Sequence, residues 1–441
     1  MTGHKDTIVA AATPPGRGGI GIVRISGGAT RAIAEAMLGC VPVPRYATTA
    51  AFTDESGRAI DTGLALFFPE PRSFTGEDVL ELHGHGGPVV MDLLIQRALE
   101  LGARPARPGE VSERAFHNDK IDLAQAEAIA DLIGAGSAQA ARAALGSLAG
   151  EFSREITELG RRIMELRVFV EAAIDFPDED AGFLESAEVR NRLSDISTRF
   201  AAIERAARQG RALCEGLSVV IAGRPNAGKS SLLNALAGHD AAIVTAIPGT
   251  TRDVLRERIA IDGLPIHVID TAGLRESADA IEEEGMRRAR AEMRRADLVL
   301  YLVDANIGAA PGEIDSLPVD TPVLLVWNKI DLAPPPPGST GVAISALTGA
   351  GLPELRERLK TVAGYRSGDA GAYSARRRHL DALDRARRLV QSAESRIAER
   401  AAFELVAEEL RLSQQALGEI TGDVTSDVLL DAIFSSFCIG K

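Results

Sequence analysis

The sequence predicts a multidomain fold of α/β and α parts: an N-terminal α+β domain, then a helical domain into which an α/β domain is inserted. Three observations carry that prediction. The chain has 441 residues, too many for one ordinary core. Its texture passes from glycine- and proline-rich β-type runs to helical periodicity, then to short apolar runs alternating with helical stretches, and back to helix. Neither helical block alone makes a comfortable core, so the two read as one domain interrupted by what lies between. The boundaries follow: 1–118 for the N-terminal domain, 119–213 and 373–441 for the helical parts, and 214–372 for the insertion.

In the first region, "GGIGIVRISG" (18–27) and "GLALFFPEP" (63–71) are β-type runs among many turn residues. From about residue 120 the pattern is helical: Phe152, Ile156, Leu159, Ile163, Leu166 and Val170 step by four and three along one stripe. The insertion holds "LSVVIAG", "IHVID", "LVLYLVD", "VLLVWNK" and "VAIS", short Val/Ile/Leu runs that mark buried parallel strands in a doubly wound sheet. "PPPPG" (334–338) reads as a stiff surface connection inside it. Helix returns with Leu380, Leu383, Ala386, Leu389, Ala393 and Ile397, and a further segment starts near 403.

Composition excludes several classes. Hydrophobic content of 45% with 25% charged residues describes a soluble globular protein. A net charge of −13 argues against wholesale coating of nucleic acid. It leaves room for RNA held by a local cluster such as Arg376-Arg377-Arg378, although that triplet reads first as a solvated helix face. The cysteines are Cys40, Cys214 and Cys438, an odd set without CxxC spacing, so neither a disulfide framework nor a zinc site is expected. The start of the chain has no basic stretch followed by an apolar run, and no apolar run approaches the roughly 18 residues of a membrane helix. A cytoplasmic protein is expected.

"GRPNAGKS" (223–230) fits G-x-x-x-x-G-K-[ST] and sits after a strand and before the helix "SLLNALAG". Its glycines let backbone N–H groups turn toward phosphate oxygens, Lys229 would reach the β/γ-phosphates, and the Ser230 hydroxyl would ligate Mg²⁺. Asn226, Ala227, Gly228 and Ser231 complete this part of the site. Base choice is readable in "NKID" (328–331): Asp331 can accept paired hydrogen bonds from the N1–H and N2–H₂ edge of guanine, which adenine cannot offer. Asn328 would hold the base and the P-loop together, the Lys329 stem would cover a ring face, and Ser345, Ala346 and Leu347 fit the loop behind the guanine. These spaced elements define a GTP site.

"DTAG" (270–273) ends another strand, with Asp270 in the Walker-B role, Thr271 and Ala272 beside it, and the Gly273 amide as a γ-phosphate sensor. The loop of Thr245, Ala246, Ile247, Pro248, Gly249 and Thr250 leads to Thr251, the switch ligand to Mg²⁺. In Ras-type GTPases the residue after DTAG is the water-orienting glutamine; here it is Leu274, which cannot do that work. No arginine finger stands out either. The run "EEEG" (282–285) offers a carboxylate, with an exposed helix start as its plainer reading.

The whole chain resembles the MnmE (TrmE) family of tRNA-modification GTPases. The resemblance rests on "DTIVAAATPPGRGGIGIVRISG" (6–27), "SFTGEDVLELHGHGG" (73–87), "RPGEVSERAFHNDKIDLAQAEAIADLI" (107–133), "AGRPNAGKSSLLNAL" (222–236), "GTTRD" (249–253), "DTAGLR" (270–275) and the terminal "FCIGK". It implies an N-terminal dimerising domain similar to folate-binding T-proteins, a discontinuous helical domain and an inserted Ras-like P-loop G domain. It also implies a K⁺-activated GTPase in which K⁺ replaces the arginine finger, held by Asn226, Thr245, Ile247 and Thr250. Catalytic positions fall on Glu282 as the water-orienting group, on Arg252 and Asp253, and on Cys438, for which plain packing remains open.

By the same resemblance, a homodimer works with an FAD-dependent partner (MnmG, also called GidA) in a heterotetramer or larger complex. It adds an aminomethyl or carboxymethylaminomethyl group to C5 of the wobble uridine of certain tRNAs. The carbon comes from a tetrahydrofolate derivative (5-formyl- or 5,10-methylene-), with contacts at Arg24, Glu81, Lys120 and Lys441. A terminal segment held against the N-terminal domain would bring Lys441 there, with Gly440 providing close approach. The competing expectation is an Era-like GTPase switch in ribosome assembly, disfavoured by low basicity and by the lack of a KH-type GxxG context.

Overall fold

A computed structural model describes residues 6–175, 187–237, 256–270, 293–294, 296–308, 321–365, 373–399, 403–438 and 440. The chain divides into two compact units, Met1–Ala130 with Gly418–Lys441, and Asp131–Leu417. Among the described residues no helix is long and apolar enough to cross a membrane.

The first unit is built on β1 (Ile8–Ala11), β2 (Gly18–Ser26), β3 (Thr48–Thr53), β4 (Ala59–Phe68), β5 (Val79–Gly86) and β6 (Arg104–Pro105), in the order β3-β4-β5-β2-β1-β6. All pairs are antiparallel except β1 with β6. Helices α1 (Thr30–Leu38) and α2 (Pro88–Glu100) cover one face, where Val23, Ile25, Ile33, Met37, Leu80, Leu82 and Leu94 form the core. Strand alternation sends Arg24 and its register partner Glu81 to the other, partly exposed face. Then come α3 (Glu110–His117) and α4 (Leu123–Gly134).

The end of the chain belongs to this unit because its last helix is amphipathic. That helix, numbered α12 (Asp427–Ser435) here, is capped by Ser426, whose hydroxyl accepts from the Leu429 N–H. Leu430, Ile433, Phe434 and Phe437 lie on one face and pack against Leu123 and Ala126, with the Phe434 ring 6.2 Å from that of Phe116. Burying each such side chain stabilises by roughly 1.5–3 kcal/mol, enough in sum to hold the terminal segment in place.

In the second unit the helices from both sides of the insertion pack together. They are α5 (Ala138–Leu148), α6 (Glu151–Asp175), α7 (Ala187–Glu215), α10 (Arg377–Ala398) and α11 (Phe403–Thr421). The predicted stripe Phe152, Ile156, Leu159, Ile163, Leu166, Val170 is buried throughout. The α10 seam differs slightly, running through His379, Leu383, Ala386, Val390, Ala393 and Ile397, with Leu380 and Leu389 on its flank. His379 takes a core place because its Nδ1 accepts the Arg376 N–H at the helix start and its ring lies 5.3 Å from that of Phe152. Cross-links between the blocks include Arg387 to Glu204 at 2.8 Å and the Arg167 Nη1 to the Gln414 Oε1 at 3.0 Å. Arg376 is an anchor more than a solvated charge: it pairs with Asp131 at 2.8 Å.

The second sheet has the order β12-β11-β10-β7-β9-β8, from β7 (Leu217–Gly223), β8 (Arg256–Ile261), β9 (Leu264–Asp270), β10 (Leu298–Asp304), β11 (Val323–Asn328) and β12 (Val342–Ala343). Five strands are parallel, as their apolar runs predict, and β8 is antiparallel to β9. The Asp262-Gly263 turn explains the exception: with φ of 50° and 90° it is a primed two-residue hairpin turn. Helices α8 (Lys229–Ala237) and α9 (Leu352–Ala363) pack on this sheet, around Val219, Ile221, Leu232, Leu300, Val326 and Leu355.

Candidate functional site

Parallel strands end level with one another, so β7, β10 and β11 present Gly223, Asp304 and Asn328 at one edge, where ligands of such sheets bind. The P-loop leaves β7 there and enters α8 at Lys229. Asn226 has φ +62° and is exposed, while Ala227 is buried beneath it. The Lys229 ammonium donates to the carbonyls of Gly223 at 3.0 Å and Arg224 at 2.9 Å, so its stem arches over the loop. Ser230 and Ser231 are exposed in the first turn of α8, at the positive end of the helix dipole.

Asn328 organises the rest of the site. Only 2% exposed, it donates from Nδ2 to the Ala227 carbonyl at 2.8 Å and accepts from the Ala346 N–H at Oδ1 at 3.0 Å. One side chain thus ties the P-loop to the Ser345-Ala346-Leu347 loop. Gly228 is required for it: φ is +97°, and a Cβ there would lie 2.2 Å from the Asn328 Nδ2. Ser345 is fully buried and its hydroxyl accepts from the Thr348 N–H, shaping the loop from which Leu347 projects. Asp331 is exposed just beyond β11, and Lys329, at φ +68°, holds Asp304 at 2.7 Å.

Asp304 is the residue that sequence reading missed. Burial pushes its carboxyl up, but the bonds from Lys329 and the Asn306 N–H hold it below the ordinary carboxylate range. It therefore stays charged and fixes the Lys329 ammonium. The signal was present: "LVLYLVD" ends on a polar residue in register with Asn328, as "IHVID" ends on Asp270.

Several expected positions lie outside the described residues: Thr245, Ala246, Ile247, Pro248, Gly249, Thr250, Thr251, Arg252, Asp253, Thr271, Ala272, Gly273, Glu282 and Lys441. Asp270 is described as the last residue of β9, without its side chain.

In the first unit, the structure joins Arg24, Glu81 and the terminal segment. Arg24 Nε donates to Glu81 Oε1 at 2.8 Å, its Nη1 to the Gly440 carbonyl at 3.3 Å, and His83 Nε2 lies 3.1 Å from Glu81 Oε2. Gly440 has φ +92°, and a Cβ on it would sit 2.1 Å from the Ala11 carbonyl oxygen, so only glycine allows this approach. Cys438 is exposed, with its carbonyl 3.4 Å from the Gly109 N–H. Lys120 is also exposed; its Cε packs over Gly76, and no described contact joins it to the Arg24–Glu81 pair.

Beneath this sheet lies a polar cluster that the sequence did not announce. Arg114 is fully buried; it bonds Glu77 at 3.1 Å, Asp6 at 2.9 Å and Glu110 at 3.2 Å. Burial pushes the Glu110 carboxyl up, and bonds from Arg104, the Arg107 N–H and Arg114 overcome that and leave it at about 2. These partners ground the segment "RPGEVSERAF" on the start of the chain.

A family model described as the GTP-binding protein TrmE N-terminus matches residues 7–120, and one described as the MnmE helical domain matches residues 123–438. Curated relatives named tRNA modification GTPase MnmE include that of Nitrosococcus oceani, 57% identical over 446 residues, covering 99% of this chain and 97% of the relative. The proteins of Aeromonas salmonicida (56% over 450 residues) and Methylococcus capsulatus (55% over 444) each cover 99% of both chains. Among solved structures, one of Aquifex aeolicus Era overlaps at a TM-score of 0.27 and 29% identity, covering 39% of this chain and 66% of that one. Matched in both its N-terminal and its helical parts, and alike from end to end to relatives more than half identical to it, the chain belongs to the MnmE (TrmE) family.

Proposed function

We propose that this chain hydrolyses GTP and uses the cycle in tRNA modification, adding an aminomethyl or carboxymethylaminomethyl group to C5 of a wobble uridine. The observation that carries the nucleotide half is the Asn328 bridge, which preassembles the phosphate loop and the base loop. Lys229 reaches the β/γ-phosphates, the first amides of α8 bind phosphate oxygens, and Asp331 selects guanine over adenine by accepting two N–H bonds. Glu282 orients the attacking water where Leu274 cannot, with Arg252 and Asp253 beside the switch.

The donors fit the ions that such a site uses. The exposed Ser230 hydroxyl, with Thr251, offers hard oxygens to Mg²⁺, and the Asn226 amide offers one to K⁺ beside Thr245, Ile247 and Thr250. K⁺ when bound supplies the positive charge that a finger arginine supplies elsewhere. We read the G domain as residues 214–372, inserted between helical parts 119–213 and 373–441, with 1–118 as the dimerising domain and the segments 119–130 and 418–441 packed into the same compact unit as that domain.

The partly exposed Arg24–Glu81 pair and the Gly440 carbonyl make a polar corner suited to a tetrahydrofolate derivative, with Lys120 and Lys441 as further cations and Cys438 nearby in the chain. An FAD-dependent partner (MnmG) and tRNA complete the reaction. GTP turnover in K⁺ and in Na⁺, with Glu282→Ala alongside, tests the nucleotide half. Equal rates in the two salts, or full K⁺ stimulation of the variant, would sink it.

A further inference from the structure

Strand β5 carries a second polar constellation on its exposed side. Burial alternates along it, so Glu81, His83 and His85 share the open face, and the 73% exposed His85 side chain is tethered there by a carboxylate. Its partner is Asp61 of β4, whose side chain is only 10% exposed. Asp61 Oδ2 accepts the His85 backbone N–H at 2.7 Å, while Oδ1 accepts the Thr62 N–H at 2.8 Å and lies 2.8 Å from the His85 ring Nδ1. The position exists because residue 84 is glycine: a Cβ there would be 2.4 Å from Asp61 Oδ2.

The chemistry of this arrangement is specific. Two backbone donors keep the Asp61 carboxylate in its accepting, ionised form, so the ring nitrogen facing it must donate. Burial pushes that carboxyl up, and the His85 and Thr62 bonds bring it below its ordinary range. The tautomer is thereby fixed, with Nδ1–H on Asp61 and a lone pair on Nε2, for which no partner stands among the described residues. Capping the β5 backbone would need only the His85 N–H. Ordering an exposed ring as well costs side-chain entropy that burial does not offset.

We propose that His85, held by Asp61, is the general base that takes a proton at Nε2 from the ammonium form of the amine nucleophile of the modification reaction. The proposal rests on the reading of that reaction given above, in which a nitrogen enters the C5 substituent. An N–H bond of the ammonium form breaks, its electron pair stays on nitrogen as the lone pair that makes the nucleophile, and the proton becomes the Nε2–H of an imidazolium stabilised by Asp61. His85 lies four steps beyond Glu81 on the strand, about 13 Å along β5, a span that one elongated ligand can cover. Asp61 is the positioning residue and His85 the catalytic one.

The test uses the full chain with its flavin partner, undermodified tRNA, GTP, K⁺, an ammonium salt as the amine source and a 5,10-methylene-tetrahydrofolate supply, reading 5-substituted uridine by nucleoside mass spectrometry. His85→Ala and the space-filling His85→Gln are expected to lower kcat by about 10²-fold, with KM for tRNA within about threefold. Free imidazole should recover at least about tenfold in His85→Ala, a rescue that a structural role would not show, and Asp61→Asn should lower kcat without becoming rescuable. Wild-type kcat in His85→Gln, or a loss in His85→Ala that imidazole leaves untouched, overturns the assignment alone. A wild-type chain that makes no product overturns the reaction reading and the assignment with it.

Discussion

Replacing Asn328 with aspartate changes no volume and reverses one hydrogen bond. The wild-type amide gives a proton to the Ala227 carbonyl and takes one from the Ala346 N–H, at a position 2% exposed. In Asn328→Asp the Ala346 contact survives, while the Ala227 carbonyl loses its donor and faces a second oxygen. A lost buried bond, an unsatisfied carbonyl and a partly desolvated charge together cost about 3 kcal/mol. If nucleotide binding must restore the loop arrangement, that cost appears as about 10²-fold weaker affinity. Titration of a fluorescent GDP analogue reads it directly. The sign of the pH dependence follows from the same geometry. The introduced carboxyl is raised above its ordinary range, and once protonated it can donate to Ala227 again. The penalty is therefore full at neutral pH and fades as pH falls through the raised value. Affinity within about threefold of wild type at pH 7.5 would refute the bridging role.

Asp331→Asn replaces two acceptors by an acceptor and a donor; GTP affinity should fall by at least about 10²-fold while xanthosine triphosphate, with its C2 carbonyl, gains, as competition binding would reveal. Gly440→Ala combines φ strain of about 1–2 kcal/mol with a Cβ 2.1 Å from the Ala11 carbonyl. The terminal segment should leave Arg24 and wobble-uridine modification should drop at least about tenfold; wild-type levels by mass spectrometry would count against the docked tail. Glu110 is held at about 2, below its unfolded value of 4.5, so its contribution is complete above about pH 4.5 and is lost as pH falls toward 2. Chemical denaturation across that range should show a shallower acid slope in Glu110→Gln than in wild type.

Much of this molecule was legible because its signals are local. The P-loop, NKID and SAL segments each occupy a few consecutive residues, and five apolar runs sufficed for the parallel strands. Asn328 could be assigned its bridging role because it ends a parallel strand at the same sheet edge as the P-loop. What escaped was long-range pairing. Arg114 and Asp6 stand 108 residues apart, and a charge on the helical stretch "EVSERAF" reads as solvated until the fold buries it. Asp61 and His85 lie 24 positions apart, and only the antiparallel pairing of β4 with β5 brings them together. The antiparallel β8 was signalled by Asp262-Gly263 but carries "RERIAI", too polar to stand out among apolar strands. His379, a polar residue at a core position, displaced the α10 seam for a capping reason that periodicity alone does not contain.

The central claim is that nucleotide turnover at the P-loop serves wobble-uridine modification. Its most direct test is nucleoside mass spectrometry of tRNA from cells lacking the protein, complemented with the wild-type chain or with Lys229→Ala. The wild type should restore 5-substituted wobble uridine, and the variant should leave it below about a tenth of that level. Equal restoration by both, or none by the wild type, would contradict it.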